Sequence, residues 1–384
     1  MNNKTPRNAL LRRTSLACSL TSLIGLLVAG CSQGTRADRP TGGVRVEPIS
    51  DTSSNRSSAG AVAGVPLGAI RVSPWEPPVI DGPDGVLVET SNYAFHTTLE
   101  DGWLYEKMPA FLEKALEHYR TAIIELPEPR RPLETYIFSE RGQWQSFTRL
   151  ILPGEAGLYL SLGKGGYTTD KKAVLYDIGR WDTLCITAHE GWHQYAQSMF
   201  AESLPAWFDE GVATWMEGCR FDRSADEPTF MPWRNFERFN ELRRCVRIGR
   251  MYPLYDLLAQ PPEFFLKNGR EHLLAYYAQI WAFMHFLMEG EDGRYRSGVE
   301  RVLEDARDGR LGRTMATSPQ LDRLSERERA SLSARGLTLA VVYFNGDLDE
   351  LEREYREFIQ SISGRGAGGA VARGRSPLAE QASE

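Results

Sequence analysis

The stretch TAHEGWHQYAQ, residues 187 to 197, sets His189 and His193 four positions apart, with Glu190 directly after the first. On a helix each residue turns by about 100°, so positions i and i+4 share a face and both imidazoles can aim a ring nitrogen at one ion. Zinc takes such ligands at roughly 2.0 to 2.1 Å. Glu190 lies one residue round from that face, beside the ion rather than on it, where it would hold a metal-bound water. Coordination brings the pKa of that water to about 7, so a carboxylate can act as general base while hydroxide attacks a carbonyl, and can then pass the proton to the leaving amine. The alternative is a helix whose histidines serve only polar neighbours. A third ligand decides between the two.

One candidate stands out in LPAWFDEGVATWME, residues 204 to 217. Pro205 opens a helix where its missing N–H costs nothing, and Glu210 falls in the second turn. The connection AESL is short, so the two helices pack as antiparallel neighbours and can bring Glu210 opposite the histidine pair. Gly211 and Ala213 permit close approach, and a mid-helix glycine, about 1 kcal/mol worse than alanine, suggests a packing reason. Asp209 and Glu217 compete for the role. Asp209 points about 100° away with a shorter reach, and Glu217 shares the face but lies about 10.5 Å further along. Glu217 and Thr214 are candidates for groups that support the ligands from behind, with ordinary packing as the alternative.

HEGWH followed by WFDEGVA resembles the gluzincin zinc metallopeptidases, in particular the peptidase-MA-like group and a related uncharacterised family of bacterial secreted proteins. The resemblance covers roughly residues 88 to 290. It implies His189, His193 and Glu210 as zinc ligands, Glu190 as general base, and a peptide or protein as substrate. It also implies an edge strand that pairs with extended peptide, for which AGLYLSL and AVLYDIG are the candidates. In YYAQIWAFMHFL, residues 276 to 287, Tyr277 matches the tyrosine that in the aminopeptidase branch donates its hydroxyl to the tetrahedral oxyanion. Core packing explains the rest of that helix. Metzincins fit poorly, because their third ligand position is Met199 here and their glycine position is Ala196. No motif for gripping a free substrate amine is present, so an endopeptidase is the expectation, with an exopeptidase as the open alternative. The competing reading is a lapsed enzyme that keeps the shell as a binding or scaffolding module.

The elements expected to carry these residues form an α+β fold, a small mixed sheet packed on a mainly helical lobe. GVLVETSNYAFHTTL has strand character, LYEKMPAFLEKALEHYRTAI helical spacing, LETYIFSE a strand and GQWQSFTRL a short helix; AGLYLSL and AVLYDIG follow as strands around a GKGGYTTD hairpin or loop. From Asp182 onward the pattern is almost purely helical. The expected organisation is an α+β subdomain over 76–181, a helical subdomain over 182–362 and a disordered tail over 363–384.

Residues 1–30 read as an export signal. Lys4, Arg7, Arg12 and Arg13 precede an apolar run, Leu16 to Ala29, short of the roughly 20 residues a membrane span needs. Its end, LLVAGC, resembles a bacterial lipobox, which implies a lipid on Cys31 and a cell-envelope location, periplasmic side, with 31–75 as a Ser- and Gly-rich spacer. The formal charge of −6, with no dense basic stripe, argues against nucleic acid as a partner. Cys219 and Cys245 could form a disulfide in that compartment or remain buried thiols.

Overall fold

The computed structural model describes residues 70–78, 82, 84–160, 165–221, 227–326, 329, 332 and 334–381. The expected signal, the lipidated Cys31 and the spacer up to residue 69 lie outside the described residues. The fold is mixed α+β, with a six-stranded sheet and a smaller two-stranded one among the described residues.

The chain enters through β1 (Arg71–Trp75), β2 (Gly85–Glu89) and β3 (Tyr93–Thr97), continues through α1 (Gly102–Thr121), β4 (Leu133–Phe138), α2 (Arg141–Ile151) and α3 (Ala156–Leu160), and closes the sheet with β5 (Tyr167–Thr169) and β6 (Lys172–Tyr176). Strand order is β1-β2-β3-β4-β6-β5. β3, β4 and β6 run parallel, and the flanking pairs run antiparallel. Alternation divides the sheet between two cores: Leu133, Ile137, Ala173 and Leu175 join the main one, whereas Phe138, Val174 and Tyr176 pack with Trp144, Phe147 and Tyr159 on the other face.

Helices follow: α4 (Arg180–Met199) and α5 (Ala206–Met216), then, after the hairpin of β7 (Cys219–Arg220) and β8 (Thr229–Phe230), α6 (Phe236–Arg247), α7 (Leu254–Ala259), α8 (Pro262–Lys267) and α9 (Arg270–Glu289). α10 (Arg296–Arg307), α11 (Leu311–Ala316), α12 (Pro319–Asp322), α13 (Arg335–Tyr343), α14 (Leu348–Ser363), α15 (Ala367–Ala372) and α16 (Pro377–Gln381) complete the chain. One buried apolar cluster runs from Val88 to Val371. No helix among the described residues is long and apolar enough to cross a membrane.

Several expectations need correction. The end of the expected spacer is β1, which pairs with β2 in full register. AGLYLSL is not a strand: residues 156–160 form α3, which buries Ala156 and Tyr159 on one side and exposes Leu158. The edge on that side of the sheet is therefore β5, β1 being the other, and β6 is interior. The tail is not disordered over its described part, because small residues let α15 settle onto the core, burying Ala367, Ala370 and Val371. The pattern after Asp182 is interrupted by the β7–β8 hairpin. Cys185, Cys219 and Cys245 are free thiols.

The β5–β6 turn has positive φ at both Asp170 (46°) and Lys171 (65°), the two-residue geometry that matches strand twist. Lysine is a poor residue for it. α4 holds the turn in place: the Lys171 N–H donates to Gln197 Oε1 at 3.1 Å, and its carbonyl accepts from Gln194 Nε2 at 3.0 Å. Gln194 also donates to the Glu134 carbonyl and accepts from Thr135 Oγ1, so one buried amide fixes α4 against β4 and the β5–β6 turn.

At the far end of α1, the His118 ring stacks on Phe230 at 4.8 Å and on Trp215 at 5.8 Å. Its Nε2 is buried without a hydrogen-bond partner, and burial pushes its pKa down to about 4. The unfolded chain binds this proton near 6.5 and the folded chain does not, so stability falls as pH drops from about 6.5 towards 4. In His118→Phe, which keeps the stacked ring, thermal unfolding midpoints should fall less across that interval than in the parent chain. Parallel curves for the two would refute this role.

Candidate metal centre

α4 carries HEGWH through its buried middle. His189, Glu190 and His193 are fully buried, and Glu210, on α5, is 1% exposed. Gly191 is required there: a Cβ would come within 2.5 Å of Tyr119 Oη, whose hydroxyl donates to the Ala188 carbonyl at 2.8 Å. Gly211 serves a similar end on α5, where a Cβ would meet Ile280 of α9 at 3.3 Å.

The four sequence-derived groups converge. His189 Nε2 and His193 Nε2 are 3.3 Å apart, Glu210 Oε2 is 3.3 Å from the first and Oε1 3.6 Å from the second. Three ligands at roughly 2.0 to 2.2 Å from one tetrahedral ion would be separated by roughly 3.3 to 3.6 Å, so the trio fits a small divalent cation. Neither Glu210 oxygen accepts a hydrogen bond among the described residues.

The other ring nitrogens are already used. His189 Nδ1 lies 2.9 Å from Glu217 Oε1, and His193 Nδ1 lies 3.0 Å from Asp209 Oδ2. With each Nδ1–H donated to a carboxylate, each Nε2 presents its lone pair, and two lone pairs facing one another require a positive charge between them. Burial lowers the proton affinity of both rings, but the carboxylates outweigh it: Glu210 and Glu217 hold the His189 pKa above its ordinary value, and Asp209 with Glu210 holds that of His193 well above. A ring of this charge attracts a proton or a metal ion. The Glu210 position, opposite both nitrogens, suits the metal ion.

Glu190 is held differently. Its Oε2 accepts from Thr168 Oγ1 of β5 at 2.8 Å, while Oε1 is buried without a partner. Burial pushes its pKa up to about 7, against the pull of the two imidazoles. The Tyr277 ring stands edge-on to His189 at 6.1 Å, and its hydroxyl is buried with no hydrogen-bond partner among the described residues. Burial, then Glu210, keep that hydroxyl protonated well above the usual range.

Sequence reasoning placed Glu217 among the supporting candidates, and it stands behind His189. Thr214 does not contact the site; its hydroxyl returns to the Glu210 and Gly211 carbonyls of its own helix. Asp209 was weighed only as a third ligand, yet it bridges His193 Nδ1 and Trp192 Nε1. Its angle of about 100° from Glu210 is what turns it towards the outer nitrogen. Thr168, Asn235 and Arg238 were missed, and each comes from an element with no local signal. No family model matches the chain, and no curated protein matches it either.

Gly191→Ala gains helix propensity of about 1 kcal/mol yet should lose about 1 to 3 kcal/mol in denaturant unfolding through overpacking against Tyr119. Most of that loss should disappear in a Tyr119→Phe background, where the clashing oxygen is gone. Equal losses in both backgrounds would assign the glycine to some other constraint.

Proposed function

We propose that the chain is a zinc-dependent peptide hydrolase of gluzincin type, with His189, His193 and Glu210 as metal ligands and Glu190 as general base. The observation that carries this reading is the triangle of two imidazole nitrogens and one carboxylate, with a second, separately held carboxylate, Glu190, on the helix that bears the histidines. Zinc in such a site supplies Lewis acidity and a water of lowered pKa.

The chain's own residues supply the remainder. Glu190 has one oxygen fixed by Thr168, which leaves Oε1 as the atom that takes the proton and later delivers it to the leaving amine. Tyr277 contributes a neutral hydroxyl able to donate to a developing oxyanion. β5, the edge strand tied to Glu190 through Thr168, offers an edge along which an extended peptide can add as a further strand. With so little of the centre exposed to solvent, a peptide gains access only as part of the surrounding shell opens, and the chemistry proceeds away from bulk water. The proposed setting is the cell envelope, through a lipid on Cys31.

Purified chain should carry about one zinc ion per molecule and cleave members of a mixed peptide library. His193→Ala should lose the metal. Glu190→Gln should keep it and lose cleavage by at least about 100-fold, the scale of a removed general base. Stoichiometric zinc in a parent chain that cleaves nothing would favour a binding module that retains the shell, and a parent chain that takes up no zinc would end the hydrolase reading.

A further inference from the structure

Arg238 is 1% exposed, inside the protein beside the centre just described. It occupies the third position of α6 and sets Nη2 at 2.9 Å and Nε at 3.2 Å from the two oxygens of Glu217. Glu217 in turn accepts from His189 Nδ1. Asn235, the N-cap of α6, completes the clamp: its Nδ2 donates to Glu217 Oε2 at 2.5 Å, and its Oδ1 accepts the Arg238 N–H at 3.2 Å. The guanidinium face lies 4.9 Å over the Tyr277 ring, whose edge faces His189. The contacts close a circuit: His189, Glu217, Arg238, Tyr277 and back to His189.

We propose that Arg238 is a positioning residue that fixes both the His189 imidazole and the Tyr277 ring through this circuit. The inference rests on the metal-centre reading above and adds to it the device that sets the geometry. Burying a guanidinium carries a desolvation penalty that an apolar side chain of similar volume would avoid, so packing alone does not account for it. A planar fork can match both carboxylate oxygens and present its face to an aromatic ring at the same time; an ammonium group cannot. Groups that hold a metal ligand from behind affect metal affinity by roughly 10- to 100-fold.

Cobalt(II) is the probe, because its visible d–d absorption reports ligand geometry independently of turnover. Arg238→Lys keeps the charge and loses the fork. It should bind cobalt roughly 10- to 100-fold more weakly in competition with a chelator, with a shifted d–d band. Arg244→Lys, which breaks a similar fork on Glu241 at the outer side of α6, should leave both readouts unchanged. Parent-like affinity and band in Arg238→Lys would overturn the proposal. Should that variant fail to fold, Arg238→Met with Glu217→Met removes both buried charges together, and the same weakening is expected; an unchanged band there would overturn the proposal equally. A parent chain that takes up no cobalt would sink the metal-centre reading itself, an outcome visible without any variant.

Discussion

Two fully buried imidazole nitrogens 3.3 Å apart are the constraint on which the centre depends. Their outer nitrogens are committed to Glu217 and Asp209, so neither ring can turn to relieve the contact without losing a buried hydrogen bond. A proton or a metal ion between them relieves that contact, and the proposed reading assigns the metal ion to it. A lone helix could supply the i, i+4 spacing, but only the packing of α5 beside α4 adds Glu210 opposite and Asp209 and Glu217 behind. The antiparallel pair of helices is thus one unit, and Gly211 fixes how closely α5 can lie against α9.

The charge balance explains why the surrounding shell is polar. Glu190, Glu210 and Glu217 are all at most 2% exposed, and Asp209 lies close by; Arg238 is the fully buried arginine that answers them. Burial would raise the Glu217 pKa, and Arg238 with His189 holds it below its ordinary value instead. In the proposed reading a divalent cation takes the place of the protons that the raised imidazole pKa values would otherwise draw in, which would link metal binding to the stability of this part of the fold.

Much of this was legible in the sequence because it is local. Helical spacing identifies α1, runs of β-branched and aromatic residues between turn formers mark the strands β2 and β3, and the distance from His193 to Glu210 is bridged by a connection too short to allow much choice. What escaped is of two kinds. Residues 156–160 carry apolar and aromatic side chains that suit strand or helix in so short a run, and packing onto α2 settled the matter as α3. The tail has the composition of a linker, yet its short helix buries Ala367, Ala370 and Val371, a burial that composition does not announce. Arg238 and Thr168 were invisible for a different reason: each reaches the centre from a separate element, 21 residues from Glu217 in one case and 22 from Glu190 in the other. Tertiary approach of that kind leaves no periodicity to read.

Thr168 gives the arrangement its last connection. It sits in the three-residue strand that forms one edge of the sheet, and its hydroxyl lies 2.8 Å from one carboxylate oxygen of Glu190 and 2.9 Å from that residue's backbone carbonyl, so the two acceptors share its single proton. Strand and carboxylate therefore cannot shift independently. The β5–β6 turn is in turn held by Gln194 and Gln197, which lie on the same helix as both histidines. The contacts from β5 and its turn thus reach α4 at Glu190, Gln194 and Gln197, on both sides of His193. In the proposed reading they tie the sheet edge, the proton acceptor and the metal ligands to one helix.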